Sequence, residues 1–185
     1  MPIIMRKTLL FILEVFKTVL IALLIVVPIR AFLFQPFFVR GQSMEPNFEN
    51  GDYLIIDEIS YRFVEPKRGE VVVFKYPHNP SQRYIKRIIG LPGDIIEIRE
   101  GLVMIQEGEE SKVLDESTYL APNIQTLGDV KVSLNENEYF VLGDNRTLSS
   151  DSRRWGPIEK KDMIGKVILR AWPFTAMAKI EAPAY

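Results

Sequence analysis

With 23 basic and 24 acidic side chains among 185 residues, the chain has a formal net charge of −1 and no basic excess that would favour a nucleic-acid partner. The absence of cysteine excludes disulfides, thiolate nucleophiles and cysteine–zinc sites, and a single histidine, His78, argues against a histidine metal cage. We therefore expect no metal and no cofactor, in a chain long enough for one ordinary domain plus an appendage.

The first predicted element is an apolar helix. The run from Leu9 to Ile29 holds 21 residues, of which only Glu14 and Lys17 are charged, and about 20 apolar residues suffice to cross a bilayer. No small-residue cleavage site follows it, so a buried core helix is the main alternative. Basic residues near Met1 favour a cytoplasmic N-terminus. The pattern predicts a single-pass protein of the cell membrane, with residues 1–34 as cytoplasmic tip and anchor.

Short β-rich runs separated by turn signals follow this helix. Leu91-Pro92-Gly93-Asp94 has the Pro and Gly of a type II turn, and Glu100-Gly101 separates two runs in the manner of a hairpin. The polar stretch from Glu107 to Asp129 is interpreted as an irregular surface excursion. The fold class is therefore mainly β: an N-terminal transmembrane helix, then a mostly antiparallel and extracytoplasmic β domain over residues 35–185. The predicted strands are Leu54 to Asp57, Glu70 to Tyr76, Tyr84 to Ile89, Ile95 to Arg99, Leu102 to Gln106, Lys131 to Leu134, Glu138 to Leu142 and Lys166 to Trp172.

Two residues have the setting that serine–lysine chemistry needs. A lysine can activate a serine if its amine is neutral, and burial among apolar groups lowers a lysine pKa. Lys86 lies in such a strand, although it could instead be a charge that protects an edge strand from aggregation. Ser43 follows Gly41 in a tight loop, although it could instead be an ordinary turn or helix-capping serine. A serine–histidine triad would have to use His78, which lies in a predicted loop.

The segment from Gly143 to Arg153 is dense in hydrogen-bonding side chains and directly follows an apolar strand. A solvated loop is one interpretation. A calcium loop is another, because Asp144, Asn145 and Asp151 offer oxygen ligands, but the spacing does not match an EF-hand.

Taken in order, these segments resemble the sequence boxes of bacterial type I signal peptidases, in their Gram-positive, single-span branch. The resemblance extends from the apolar helix to Phe174. It rests on Gly41-Gln42-Ser43-Met44-Glu45-Pro46, on Arg68 to Phe74, on Tyr84 to Asp94, and on Gly143-Asp144-Asn145-Arg146 with Ser149-Ser150-Asp151-Ser152-Arg153.

This resemblance implies a role for each matching position. Ser43 would attack the scissile carbonyl and its backbone amide would bind the oxyanion, while Lys86 would be the general base. Ser149 would hydrogen-bond and orient the lysine, and Asp151 and Arg153 would form a supporting ion pair. Small-residue pockets would be shaped by Phe37, Val39, Met44, Phe48, Tyr84 and Ile85. Two departures from the family pattern are Gly41, which cannot supply a second oxyanion hydroxyl, and Thr147-Leu148, where the family often has Asp-Asn.

The implied activity is a membrane-bound serine endopeptidase that removes signal peptides from secreted preproteins after Ala-x-Ala ends. Its implied partners are those preproteins and the lipid bilayer, with no nucleic acid and no obligate protein partner. Two rival hypotheses are a self-cleaving repressor and a catalytically idle, membrane-anchored β scaffold. The first would lack the apolar helix and have a DNA-binding region, and the second would not need Ser43, Lys86 and Ser149 together.

Overall fold

The computed structural model describes residues 3–32, 34–108, 110–122, 124–183 and 185. Helix α1, Ile3–Phe32, has 30 residues, and its side chains from Leu10 to Val26 are exposed. Among the described residues, no helix is both long enough and apolar enough to traverse a bilayer. The predicted helix from Leu9 to Ile29 is therefore present, but its crossing of a membrane is not supported. Met1, expected in the cytoplasm, lies outside the described residues.

Strands are the main regular structure of the described chain beyond α1. The first half contains β1 (Phe34–Phe38), β2 (Tyr53–Asp57), β3 (Val71–Tyr76), β4 (Asn79–Gly90), β5 (Ile95–Arg99) and β6 (Leu102–Glu107). The second half contains β7 (Glu110–Val113), β8 (Val130–Ser133), β9 (Glu138–Leu142), β10 (Ile158–Glu159), β11 (Met163–Trp172) and β12 (Ala178–Lys179). Helix α2 is the single turn Ser152–Trp155, and 3-10 turns occupy Ser60–Arg62, Lys160–Asp162 and Phe174–Ala176.

The strands of the described residues form two sheets in which every ladder is antiparallel. The larger has the order β1-β2-β11-β3-β4-β9-β10, with β12 added to β11, and the smaller has the order β7-β6-β5-β8. The prediction of a mainly antiparallel β domain is confirmed.

Both predicted turns have the expected backbone. Glu100 and Gly101 have φ values of 54° and 81°, as the mirror-image turn of a two-residue hairpin requires, and they join β5 to β6. Gly93 has a φ of 86°, and the Asp94 amide donates to the Leu91 carbonyl over 3.1 Å. Local turn chemistry therefore determines these two connections.

Four strands were not predicted: β1, β7 and the two-residue strands β10 and β12. Strand β1 contains Pro36, which breaks a strand pattern, but Pro36 is tolerated because β1 lies at the edge of its sheet. Strand β7 lies inside the stretch from Glu107 to Asp129, so the prediction of a wholly irregular excursion is wrong. All of its side chains are exposed, and it therefore lacks the alternation that marks a half-buried strand.

The core of the described domain is divided between the two sheets. Ile96, Ile98 and Ile105 pack with residues around the smaller sheet. A second cluster, with Met44, Phe48 and Ile85 among its members, lies beneath the loop that precedes β2. This cluster joins the Ser43 loop to β4, and so it sets the distance between the two predicted catalytic residues.

Candidate active site

Strand β4 places Lys86 in the interior of the larger sheet. The strand pairs with β3 throughout this region and with β9 only from Arg87 onward; Lys86 is opposite Val72 of β3 and is only 4% exposed. The alternative that Lys86 protects an exposed edge is therefore wrong. Because the residue is buried, its amine can reach only the groups that adjacent segments present to it.

The Ser43 loop is a tight turn anchored by apolar side chains. Gly41 has a φ of 92°, and its amide donates to Asn50 Oδ1 over 2.9 Å. The Phe48 amide donates to the Met44 carbonyl over 2.9 Å, and both of these side chains are buried. The Asn145 amide donates to the Ser43 carbonyl over 3.0 Å, which ties the loop to the segment after β9. The hydroxyl is left half-buried and faces β4.

Lys86 and Ser43 are in direct contact. Lys86 Nζ lies 2.6 Å from Ser43 Oγ and donates a second hydrogen bond to the Ile85 carbonyl over 2.8 Å. Burial lowers the pKa of Lys86 to about 8, although the negative charges of Asp151 and Asp144 oppose this change. The amine is therefore neutral far more often near neutral pH than that of an ordinary lysine, although it is still mostly charged at pH 7, and the neutral form can accept the proton of a serine hydroxyl.

The segment after β9 is held by Asp151. Its carboxylate accepts hydrogen bonds from Arg153 Nε and Nη2, each over 2.8 Å, and from the Gly143 amide over 3.1 Å. Burial alone would raise the pKa of Asp151, but the Arg153 guanidinium, with the Ser149 hydroxyl and the Gly143 amide, holds the pKa below its ordinary value. The carboxylate therefore stays charged and fixes the chain near Lys86.

Ser149 is buried in this segment without a direct bond to the lysine. Its Oγ has no hydrogen-bond partner among the described residues, although the hydroxyl contributes to lowering the pKa of Asp151. The expected hydrogen bond from Ser149 to Lys86 is not formed, because the amine is directed at Ser43 Oγ and the Ile85 carbonyl. A buried hydroxyl without a hydrogen-bond partner lowers the stability of the folded state, so a catalytic role is one reason for its presence.

A buried ion pair behind the dyad was not predicted. Arg87, the residue after Lys86, donates from Nε and Nη2 to the two carboxylate oxygens of Asp144 over 2.8 and 2.6 Å. Asn47 also donates to Asp144 over 2.8 Å, which joins the pair to the Ser43 loop. Alternation along β4 puts Arg87 on the face opposite Lys86, together with the apolar Ile85 and Ile89. That apolar face was the sequence signal that the Arg87 guanidinium could be buried.

This pairing contradicts the calcium-loop hypothesis. Asp144 and Asp151 are each bound to an arginine, so their oxygens are not free for a cation. Within the described residues, no group of three or more metal-ligating side chains is present.

A cleft of about 590 Å³ runs past the two residues. Three of the six residues predicted to shape substrate pockets line it, namely Phe37, Tyr84 and Ile85. Val39, Met44 and Phe48 are instead buried beneath it in the core, so their predicted role as pocket residues has no support from the cleft lining. The remaining lining residues, which sequence reasoning missed or did not assign to the cleft wall, are Phe38, Arg40, Gly41, Gln42, Ser81, Gln82, Arg83, Leu148 and Ser150.

Comparison with known proteins decides the family. The model of the family described as signal peptidase, peptidase S26, matches residues 12–172. The chain belongs to this family. It is accordingly a serine endopeptidase, and the idle-scaffold hypothesis is wrong.

The relatives of this signal peptidase come from several bacterial groups. It is 40% identical over 166 residues to probable signal peptidase I-2 of Synechocystis sp. The alignment covers 87% of this chain and 73% of the relative. It is 36% identical over 171 residues to signal peptidase I of Bacillus caldolyticus, and this alignment covers 85% of this chain and 90% of the relative. Structural comparison with a solved signal peptidase I from Enterococcus faecalis gives a TM-score of 0.45 and 31% sequence identity. The match covers 56% of this chain and 97% of the Enterococcus chain.

His78 is not part of this peptidase's Ser43 site in the structure. It lies exposed in the turn between β3 and β4, where its ring packs against Tyr76 with centroids 5.4 Å apart. Among the described residues, no hydrogen bond joins His78 to Ser43, so the geometry gives a serine–histidine triad no support.

Proposed function

We propose that the protein removes N-terminal signal peptides from translocated preproteins, with Ser43 as nucleophile and Lys86 as general base. The observation that supports this is the 2.6 Å contact between Lys86 Nζ and Ser43 Oγ, made by a buried lysine. Neutral Lys86 takes the hydroxyl proton as Oγ attacks the scissile carbonyl. The ammonium then protonates the leaving amine, and water attacks the acyl-enzyme with the same base.

The oxyanion of the tetrahedral intermediate needs donors near Ser43. The Ser43 amide makes no hydrogen bond to the part of the chain that the structure describes, so it is available to donate. Gly41 has no hydroxyl to add, and its φ of 92° would strain a side chain there. The oxyanion is therefore assigned to a backbone donor at Ser43, without a hydroxyl at position 41.

Ser149 and the Asp151–Arg153 pair are proposed as positioning residues. Asp151 fixes the Gly143 amide, and Ser149 Oγ is buried beside it without a partner. When substrate displaces the serine hydroxyl from Lys86, the amine needs another partner, and Ser149 is the hydroxyl at hand.

The cleft suits an extended peptide with small side chains. Strand β9 pairs with β4 only from Arg87 onward, so the preceding part of β4 pairs with β3 alone and leaves its other edge to the cleft. An extended substrate can add to such an edge as a further strand. Phe37, Tyr84 and Ile85 narrow the cleft beside Ser43, which favours Ala-x-Ala ends over bulky ones.

We further propose that α1 attaches the enzyme to the cell membrane, with the N-terminus cytoplasmic and the β domain, residues 35–185, outside. The exposed apolar side chains of α1 support attachment, since water does not accommodate such a surface. Ser43 lies 14 residues after Ile29, a link of at most about 50 Å. The cleft is thereby kept where a translocated precursor presents the end of its apolar segment.

The dyad is tested by cleavage of a purified precursor with an Ala-x-Ala end. Ser43→Ala and Lys86→Ala should each lower kcat by several orders of magnitude, and the double variant by little more, because the two residues act as a unit. Ser133→Ala and Lys131→Ala, at exposed positions of the smaller sheet, are the matched controls and should cleave normally. Substantial activity in either dyad variant would refute the assignment.

A further inference from the structure

A second concavity of about 730 Å³ lies at one end of the larger sheet and is rich in cations. We call it the basic pocket. Its cations outnumber its carboxylates, Glu58 and Glu159. The cations are Arg62, Lys75, Arg83, Lys160 and Lys161.

Part of this positive charge is not neutralised by the protein. Lys160 and Lys161 bind Glu65 and Glu159, over 2.5 and 2.7 Å. Within the described residues, by contrast, Arg62, Lys75 and Arg83 form no ion pair. Lys75 and Arg83 are also directly opposite each other in the β3–β4 ladder, an arrangement of like charges that is unfavourable unless an anion lies between them.

The strand register puts the basic pocket at the end of the sheet where α1 joins β1. At that end Phe34 of β1 is opposite Asp57 of β2, which is opposite Lys166 of β11, and Lys166 is opposite Val72 of β3. Apart from Asn137, which precedes β9, the pocket residues follow Asp57 or Val72 in the chain, or precede Lys166 or Lys86.

Exposed apolar side chains adjoin one of the pocket residues in the sequence. Phe63 and Val64 directly follow Arg62 and are 82% and 50% exposed. Cations beside protruding apolar groups are the composition of surfaces that bind anionic membranes, where the cations meet phosphates and the apolar groups enter the acyl boundary.

We propose that the basic pocket binds the phosphate of anionic phospholipid headgroups and docks the β domain on the bilayer, with Phe63 and Val64 inserted. This inference rests on the proposed membrane attachment through α1. Arg83 lines both the basic pocket and the Ser43 cleft, so a bound headgroup lies beside the cleft. Docking therefore orients the cleft along the membrane surface rather than leaving it free on its tether.

The absence of native cysteine allows a direct test on the full chain. Val64→Cys is labelled with an environment-sensitive dye, and the protein is reconstituted into vesicles of phosphatidylcholine with or without phosphatidylglycerol. The dye should report an apolar environment only when phosphatidylglycerol is present, and high salt should reverse the change. A dye at Lys112→Cys, on exposed strand β7, should remain in water in both vesicles.

Charge removal identifies the pocket. Arg62→Gln with Lys75→Gln should lower the ratio of docked to undocked protein roughly 30-fold, given the usual contribution of each of the two basic residues at an anionic surface. Arg99→Gln with Lys131→Gln makes the same change in net charge on the smaller sheet and should dock like the parent. Cleavage of a soluble peptide in neutral detergent should be unchanged in both variants, since none of the four residues lines the cleft.

The proposal is overturned if the dye at Val64→Cys gives the same signal with and without phosphatidylglycerol. It is also overturned if the Arg62→Gln, Lys75→Gln variant docks like the parent. A response to a soluble polyglutamate peptide without a response to lipid would also overturn it, in favour of an acidic peptide ligand. Two other experiments do not depend on the basic pocket. Flotation with pure phosphatidylcholine vesicles tests attachment through α1, and comparison of the parent with Ser43→Ala tests the proposed protease activity.

Discussion

The pKa of Lys86 determines at which pH the proposed dyad works. Because burial lowers that pKa to about 8, the amine is mostly charged at pH 7 and mostly neutral at pH 9. The value of kcat/KM should therefore rise through about pH 8 and then level off, where an ordinary lysine would still be charged. A profile that keeps rising to pH 10 would show a lysine that is not buried in the working enzyme.

The same pKa predicts how stability depends on pH. The folded pKa lies below the unfolded value of 10.5, so between about pH 8 and 10.5 the unfolded chain holds the extra proton. The contribution of Lys86 to the free energy of unfolding should therefore rise with pH across that window. Lys86→Met removes the titrating group, and urea denaturation at several pH values should show a flatter curve for this variant than for the parent.

His78 provides the control for a lysine mechanism. Its ring packs on Tyr76 in the turn before β4 and takes no part in the Ser43 contact. His78→Ala should leave both the cleavage rate and the pH profile nearly unchanged. A large loss of activity in a folded His78→Ala protein would revive the triad hypothesis.

Ser149 and Ser152 lie three residues apart, and their buried hydroxyls should respond differently to removal. Ser149 Oγ has no hydrogen-bond partner in the part of the chain that the structure describes. Beyond the small support that its hydroxyl gives the Asp151 carboxylate, Ser149→Ala should therefore change the free energy of unfolding little, while kcat falls by roughly 100-fold. Ser152 Oγ accepts from the Val141 amide over 3.0 Å, so Ser152→Ala should cost about 1–3 kcal/mol by leaving that amide unpaired. Loss of stability in Ser149→Ala would point to a structural hydroxyl instead.

At the scale of elements, β4 and the segment after β9 are joined by the Arg87–Asp144 pair. Both side chains are buried, so removing one leaves an uncompensated charge. Arg87→Met and Asp144→Leu should each cost about 3–5 kcal/mol, and the double variant should cost less than the sum. Urea denaturation of the parent and of all three variants gives the coupling energy between Arg87 and Asp144. The exposed Lys179–Glu181 pair is the control and should show little coupling.

Sequence predicted those elements whose signals are local. The β5–β6 hairpin follows from Glu100-Gly101, and β4 from the apolar run around Lys86. Strand β1 was missed because Pro36 interrupts its pattern, and β7 because none of its side chains is buried.

The site was predictable only in part, because its contacts join distant parts of the chain. Ser43 and Lys86 could be nominated from their local settings, but Asp144 meets Arg87 57 residues away and Asn47 97 residues away. No local pattern records such pairs. Whether an apolar residue such as Val39 or Met44 lines the cleft or lies beneath it likewise depends on packing, which composition does not reveal.

At the scale of the whole molecule, the proposed function requires the N-terminal end of α1 and the cleft to lie on opposite sides of the cell membrane. A chain without native cysteine can report this by single-cysteine labelling in intact cells with a membrane-impermeant maleimide. Leu102→Cys lies in the smaller sheet at a site that is 51% exposed, and Lys7→Cys lies at an exposed position near the start of α1.

We expect Leu102→Cys to be labelled in intact cells and Lys7→Cys only after permeabilisation, because basic residues before an apolar helix favour retention in the cytoplasm. The reverse pattern would invert the topology. Protection of both sites until permeabilisation would place the β domain inside the cell. There the cleft could not meet a translocated precursor, so the proposed substrate would be lost even though the Ser43–Lys86 contact remained intact.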